Sequence, residues 1–338
     1  MEHNFATVGF TVGLALFFVF SNGFNDSANQ TATVVSARAL PPELALIMAA
    51  VCNYIGAYYL GTNVAKTILK NIVDPELLAA FGSGASVLIA ALLGAVSWNL
   101  FTWFAGIPAS SSHSLIGGLI GAVVKACGAA AVHWPGVLKI IAIMLISPFI
   151  GFCITYLFTK ITFFLSQWAS PRANLFFNRM QVISSLSQSL VHGANDAQMA
   201  MGIMVLSLYA LRIPGFSASS AVPHWVKFSA ALTMALGTAV GGWRSIRTLG
   251  YGLYRVRPIH GFGSQTVSTL VALTTVLTGY PTSTTQVASS SVLGAGAAFR
   301  IKSVRWQLAG DIAAAWLVTI PASALAAGAA YGLIQWIF

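Results

Sequence analysis

Charge is what this chain has least of, and negative charge above all. Seven Asp and Glu stand among 338 residues, against 17 Lys and Arg, and charged residues of both signs make up only 7% of the composition. A water-facing domain carries roughly 25%, so this chain cannot clothe a soluble surface. A hydrophobic fraction of 57% and a mean hydropathy of +0.79 lead to the same class, an integral membrane protein surrounded by lipid bilayer. Cysteine is sparse too. Cys52, Cys127 and Cys153 stand apart in apolar sequence with no C-x-x-C pair, which argues against a disulfide framework or a metal cluster. No H-E-x-x-H or G-x-S-x-G motif occurs, so nothing marks a metalloprotease or a serine hydrolase. Neither a soluble domain nor a long linker interrupts the apolar sequence. The first apolar run lacks a basic leader and a cleavage site and reads as a retained helix.

What is present is a series of long apolar stretches, at 5–20, 44–65, 87–105, 137–165, 228–240, 267–277 and 312–338. Several approach or exceed the roughly 20 residues that span a bilayer. The net charge of +10 sits in short loops, where positive-inside topology explains it better than nucleic-acid binding does.

Two acids fall within apolar sequence in matching surroundings. Asn22-Gly23-Phe24-Asn25-Asp26-Ser27-Ala28-Asn29 and His192-Gly193-Ala194-Asn195-Asp196-Ala197-Gln198 both carry Gly-x-Asn-Asp. A carboxylate at membrane depth is costly and marks an ion or substrate path. Asp311 is also in apolar sequence, but it follows the basic stretch 300–305 and is expected at the interface, paired with that stretch. The two Asn-Asp pairs lie 170 residues apart, half the chain. Pro108-Ala109-Ser110-Ser111-Ser112-His113 matches Pro281-Thr282-Ser283-Thr284-Thr285-Gln286 at an offset of 173, and Gly121 matches Gly294 at the same offset. A weaker match sets the segment from Gly61 beside that from Gly242, offset 181. The same order of motifs in both halves indicates an internal repeat. The expected division is a first membrane repeat at 1–165, a cytoplasmic connection at 166–180 and a second repeat at 181–338.

Charge supplies a topology. The acid-free basic clusters 160–179, 244–257 and 300–305 belong in the cytoplasm. With these anchored inside, 181–211 runs outward, 227–242 returns, and 261–299 forms a hairpin turning at Pro281. The last passage leaves the C-terminus outside. An odd number of crossings inverts the first half and puts the N-terminus outside as well. The expected fold is an all-α multi-pass protein of two inverted-topology repeats, whose broken helices and hairpins meet at a midplane site.

The residue types in the motifs suit ions. Asn-Gly and Gly-x-Asn-Asp sequences favour helix breaks, and Pro108 and Pro281 stop one helix where the next Ser/Thr residues can cap another. Freed N–H groups at such helix starts bind anions. The hydroxyls of Ser110, Ser111, Ser112, Ser283, Thr284 and Thr285, and the amides of Asn25 and Asn195, can donate hydrogen bonds to an oxyanion. Asp26 and Asp196 would repel an anion, so they call for a hard cation such as Na⁺ beside it, or for protons. His113 and His192 stand next to the motifs and are candidates for proton-linked roles. An intramembrane hydrolase using Asp26, Asp196 and His192 is the alternative from another class. The repeat speaks against it, because catalysis gains nothing from inverted duplication. The paired acids speak against a passive anion channel.

At these motifs the chain closely resembles the inorganic phosphate transporter (PiT) family, and Gly241-Gly242-Trp243-Arg244 is similar as well. The resemblance spans almost the whole chain. It implies secondary transport of phosphate coupled to Na⁺ or H⁺, with no catalytic residue and no cofactor, in the inner (plasma) membrane and compatible with a homodimer. Phosphate would be held by the Ser/Thr turns with Asn25 and Asn195. The coupling ion would be held by the Asn-Asp motifs through Asp26, Asn29, Asp196 and Gln198. Met199 departs from the bacterial pattern, which commonly has Lys there. That loss of positive charge leaves sulfate as the alternative substrate.

Overall fold

Apolar runs make the helices of this protein, and glycine and proline end them. The computed structural model describes residues 2–80, 84–107, 109–170, 172–217, 221–254 and 256–337. The first half contains α1 (Glu2–Ser36), α2 (Pro42–Tyr59), α3 (Asn63–Asn71), α4 (Pro75–Ala80), α5 (Gly84–Ala105), α6 (Ser111–Cys127) and α7 (Trp134–Ser166). The second contains α8 (Ala173–Ala210), α9 (His224–Val240), α10 (Trp243–Arg247), α11 (Pro258–Thr278), α12 (Thr284–Arg300) and α13 (Trp306–Ile337). Among the described residues no strand forms.

The order of elements repeats. A long helix, a shorter one and a short segment are followed by two hairpin arms, a 3₁₀ turn and another long helix, so α1, α2, α3, α5, α6 and α7 correspond to α8, α9, α10, α11, α12 and α13. The halves are interlaced: α1 packs on α9, α2 on α8, α6 on α13 and α7 on α12. The stretches on either side of the expected connection therefore pack into each other and are not independent bodies. The expected connection 166–180 is also shorter than expected, since α8 already starts at Ala173.

Polarity is arranged inside out. Helices spanning 6–36, 84–105, 134–166 and 306–337 are long and apolar enough to cross a membrane. On α7 and α13, Phe149, Leu157, Phe164, Leu325 and Leu333 are each 60% exposed or more, a surface that suits lipid. In the second half of α8 polar residues point inward, and His192, Asn195, Asp196 and Gln198 are fully buried.

Three expectations need correction. Both long helices run unbroken through the Asn-Asp motifs. The motif glycines serve packing instead: a Cβ on Gly23 would lie 2.5 Å from the Met234 carbonyl oxygen, and one on Gly193 would lie 2.2 Å from that of Asn53. Glycine thus lets α1 cross α9, and α8 cross α2, backbone against backbone. The apolar run 44–65 is two elements, because α2 ends at Tyr59 and the chain turns at Gly61, with φ +93°. Asp311 is exposed and forms no ion pair among the described residues. Breaks do occur at the Ser/Thr turns, between α5 and α6 and between α11 and α12, where Gly279 (φ +82°) closes α11. Pro108 lies outside the described residues.

Candidate functional site

The two hairpin turns face each other across α1 and α8. Ser110 caps α6, its Oγ accepting the His113 N–H at 3.2 Å, and Ser283 caps α12, its Oγ accepting the Gln286 N–H at 3.2 Å. These caps leave the next hydroxyls free to reach the carboxylates. Thr285 Oγ1 donates to Asp26 Oδ1 at 2.8 Å, and Ser111 Oγ donates to Asp26 Oδ2 at 2.9 Å. Asp26 is thus held by one hydroxyl from each hairpin. Asn29, one helical turn along α1, donates its amide to Thr285 Oγ1 at 3.0 Å. Asp196 accepts from the Asn195 amide on Oδ1 and from Thr284 Oγ1 on Oδ2 at 3.3 Å. Asn195 is further tied to the second turn, donating to the Thr282 carbonyl at 2.8 Å and accepting the Thr282 N–H at 3.2 Å. Ser112 Oγ donates to the same carbonyl at 3.2 Å.

His192 joins the two carboxylates. Its Nε2 lies 3.4 Å from Asp196 Oδ2 and 3.9 Å from Asp26 Oδ2, and ligand atoms of all three residues fall within 4.8 Å of one another. On the other side of the ring, Nδ1 lies 2.8 Å from Gln30 Nε2 and 3.0 Å from Asn53 Oδ1. Asn53 also donates to Gln30 Oε1 at 2.8 Å and to Thr238 Oγ1 at 3.0 Å. This network fixes the ring. Two ionised carboxylates with one protonated imidazole would still leave one negative charge buried, which is costly without a partner. A monovalent cation or protons could offset that charge, and the ligand atoms of the three residues are close enough to share one ion.

Beside Asp26 is a cavity of about 10 Å³, lined among others by Asn25, Asn29, Asn99, Trp103, Ser111 and Thr285. That is room for about one water-sized group. Its walls carry buried polar atoms without partners: Asn25 Oδ1, Asn99 Nδ2 and Trp103 Nε1. The Asn25 amide makes only a 3.4 Å contact with the Asn99 carbonyl. Arg244 supports this wall, stacking 5.3 Å from the Trp103 ring and donating to the Phe104 carbonyl at 2.9 Å. The Gly242 N–H donates to Ser27 Oγ at 2.8 Å, and a Cβ on Gly242 would lie 2.5 Å from the Phe24 carbonyl oxygen. The Gly-Gly-Trp-Arg stretch therefore docks on the first Asn-Asp motif.

The structure brings Asn25, Asp26, Asn29, Ser111, Ser112, His192, Asn195, Asp196, Thr284 and Thr285 together. Others do not. Gln198 Oε1 accepts the Val64 N–H at 2.9 Å, at the start of α3 and away from Asp196. His113 stays between the caps, with Nδ1 2.7 Å from Ser110 Oγ and Nε2 3.5 Å from Gln286 Nε2. Ser110 and Ser283 are committed as caps. Met199 is buried in the apolar core, at the position equivalent to Asn29. Asn99, Thr102, Trp103 and Ser245, which also line the cavity, were not anticipated from sequence.

Comparison with known proteins gives the family and the fold. Residues 22–327 match the phosphate transporter family. The chain is 42% identical to a Bacillus subtilis protein named "Probable low-affinity inorganic phosphate transporter", over 96% of each chain. It is 40% identical to a protein of the same name from Rhizobium meliloti, over 95% of this chain and 94% of that one. The fold is shared with a solved structure, "The sodium-dependent phosphate transporter", at a TM-score of 0.85 and 24% identity, covering 98% of this chain and all of the other.

Proposed function

The chain belongs to the phosphate transporter family, and from that premise we propose that it is a symporter carrying inorganic phosphate across the plasma membrane with Na⁺. The observation that carries this reading is the pairing at Asp26. A carboxylate clasped by hydroxyls from both hairpins lies against a cavity whose walls hold unpartnered polar groups. The cavity as it stands has room for about one water-sized group, so the hairpins must part to admit phosphate, whose oxygens would then accept from the Asn25 and Asn99 amides and the Trp103 indole N–H. Na⁺ would take oxygens of Asp26, Thr285, Ser111 and Asn29, a set that suits a hard cation. The cation then cancels the repulsion between Asp26 and the anion. Each ligand binds better when the other is present, which is the thermodynamic content of coupling.

The solved structure named for sodium dependence supports the fold at its 24% identity; the case for Na⁺ in this chain is the oxygen set around Asp26. A second reading, proton coupling, is favoured by the 3.4 Å approach of His192 to Asp196. Phosphate is preferred to sulfate because it retains a proton at neutral pH that it can donate to a carboxylate. Family membership sets the hydrolase alternative aside. The two repeats would be inverted, with both termini outside, as the basic clusters require.

The test is uptake of radiolabelled phosphate into proteoliposomes, first with an inward Na⁺ gradient and then with a proton gradient alone. Accumulation driven by Na⁺ is expected. Accumulation only with protons would transfer coupling to the His192–Asp196 pair. Sulfate accumulation without phosphate accumulation would overturn the substrate.

A further inference from the structure

A second cavity lies at the end of α1. Its volume is about 710 Å³, and its lining includes Ser36, Arg38, Tyr251, Tyr254, Arg257 and Arg305. It shares no lining residue with the cavity at Asp26. Ser36 is seven residues beyond Asn29 on the same helix, about 10 Å along the axis.

The chemistry of this cavity is one-sided. Three guanidinium groups line it and no acid does, and none of the three forms an ion pair among the described residues. Arg257 rests 4.9 Å from the Phe299 ring, which engages the guanidinium face and leaves N–H groups at its edge for an anion. Helix α11, 21 residues long, begins immediately after Arg257, adding the partial positive charge of its N-terminus. Tyr254 belongs to the same lining. Its side chain is only 5% exposed, and its hydroxyl has no hydrogen-bond partner. Buried hydroxyls are rarely left so. The neighbouring segment Thr248–Gly252, which contributes Tyr251, is π-helical, a geometry frequent at functional sites.

The repeat provides an internal comparison. Arg212 follows α8 as Arg38 follows α1, and both adopt left-handed backbone, with φ of 53° and 59°. Arg212 also lines a cavity, of about 540 Å³, but Glu76 is in that lining. The fold makes a cavity at the end of α1 and another at the end of α8, and of these two only the one at α1 concentrates unpaired positive charge. Positive-inside topology accounts for the sign of these arginines but not for a cavity that gathers three of them with no acid in its lining.

We propose that this cavity is a second anion site, separate from the transport site, which takes a ligand bearing several phosphate groups. Three guanidinium groups exceed the roughly 1.5 to 2 negative charges of a single phosphate group. The volume falls in the range of about 300–1,000 Å³ typical of small-molecule sites. A soluble polyphosphate and the headgroup of an anionic lipid share this chemistry, and basic pockets between membrane helices take such headgroups. A ligand here would bridge α1, which carries Asp26 and Asn29, to the starts of α11 and α13.

The experiment titrates purified full-length protein with tripolyphosphate in phosphatidylcholine nanodiscs, and again in discs containing cardiolipin. Saturable binding is expected, weakened about tenfold or more by Arg38→Gln with Arg305→Gln and about threefold by Tyr254→Phe, as for lost hydrogen bonds to an anion. Asp26→Asn leaves it unchanged. If a lipid headgroup is the occupant, cardiolipin weakens tripolyphosphate binding in the wild type and not in the arginine variant; if a soluble ligand is, cardiolipin has no effect. Tyr254→Phe keeps the ring packing and carries the test should the arginine variant fail to fold. The proposal is overturned if tripolyphosphate does not bind in either disc, or if Asp26→Asn abolishes binding that the arginine variant retains.

Discussion

Replacing Thr285 by Val is the sharpest probe of the coupling site, because it keeps the side-chain shape and removes one oxygen. That oxygen donates to Asp26 Oδ1 at 2.8 Å and accepts from Asn29 Nδ2 at 3.0 Å. Both partners are buried, at 3% and 5% exposure, so water does not readily replace what is lost. A hydrogen bond to a charged group contributes about 1.5–3 kcal/mol and a neutral one about 0.5–1.5. The closed hairpin therefore loses about 2–4.5 kcal/mol, or about 30- to 1,500-fold in an equilibrium constant. If the same oxygen ligates Na⁺, the Na⁺ concentration for half-maximal phosphate uptake rises by a factor in that range. Thr285→Ser restores the hydroxyl and should return the value to within about threefold, the cost of one lost methyl group. Thr274→Val serves as control, since Thr274 is exposed and bonds only to its own helix at the Leu270 carbonyl. A folded, inserted Thr285→Val protein with wild-type Na⁺ dependence would refute the assignment.

Three further outcomes are expected. Trp103→Phe keeps a ring against Arg244 but removes the indole N–H, so the KM for phosphate at saturating Na⁺ rises about tenfold, as for one lost hydrogen bond to a charged ligand; an unchanged KM would remove Trp103 from the phosphate site. Gly193→Ala drives a Cβ to 2.2 Å from the Asn53 carbonyl oxygen, whereas Gly9→Ala meets nothing within 4 Å. Thermal unfolding should show the first destabilised by about 1–3 kcal/mol or more and the second unchanged or stabilised by up to about 1 kcal/mol. His192→Gln keeps an amide near the carboxylates but cannot carry a proton, so uptake driven by Na⁺ persists with a fall of about tenfold or less. Loss of uptake in a variant that still binds phosphate would favour proton coupling.

The repeat was legible because it was written in polar residues that apolar sequence has no other use for. Matching offsets at Asp26/Asp196 and at the Ser/Thr turns anticipated the correspondence of α1 with α8 and of α6 with α12. What failed was the inference from Asn-Gly to a helix break. That tendency is local, and contacts with Met234 and Asn53 far along the chain give the glycines another purpose. The misplacement of Gln198 follows from the same error. On a continuous helix, a residue two positions on lies about 200° away, so Asp196 and Gln198 cannot share a face, while Asp26 and Asn29 can. Asn99 and Trp103 were missed for a different reason. At the offset of the turns their counterparts are Ala272 and Val276, so a search for matched pairs passes over them. An amide within the 22 apolar-rich residues of α5 was the available signal.

The two half-sites hold matching positions in the element order and are unequal in chemistry. Asn195 is tied through both amide atoms to Thr282, whereas Asn25 has an unpartnered oxygen and one long contact. Where the first motif has Asn22 and Asn29, the second has His192 and Met199. The first change brings an imidazole to within 4 Å of both carboxylates, offsetting a repulsion of order 4 kcal/mol between like charges 4 Å apart at an effective dielectric constant near 20. The second removes an oxygen from the Asp196 side and puts a thioether in its place, a poor ligand for a hard cation. Two substitutions thus leave the richer oxygen cage around Asp26, beside the cavity with the unpartnered polar groups. On the proposed reading the Asp26 half-site takes the cation and its anion, and the Asp196 half-site with His192 holds the charge balance.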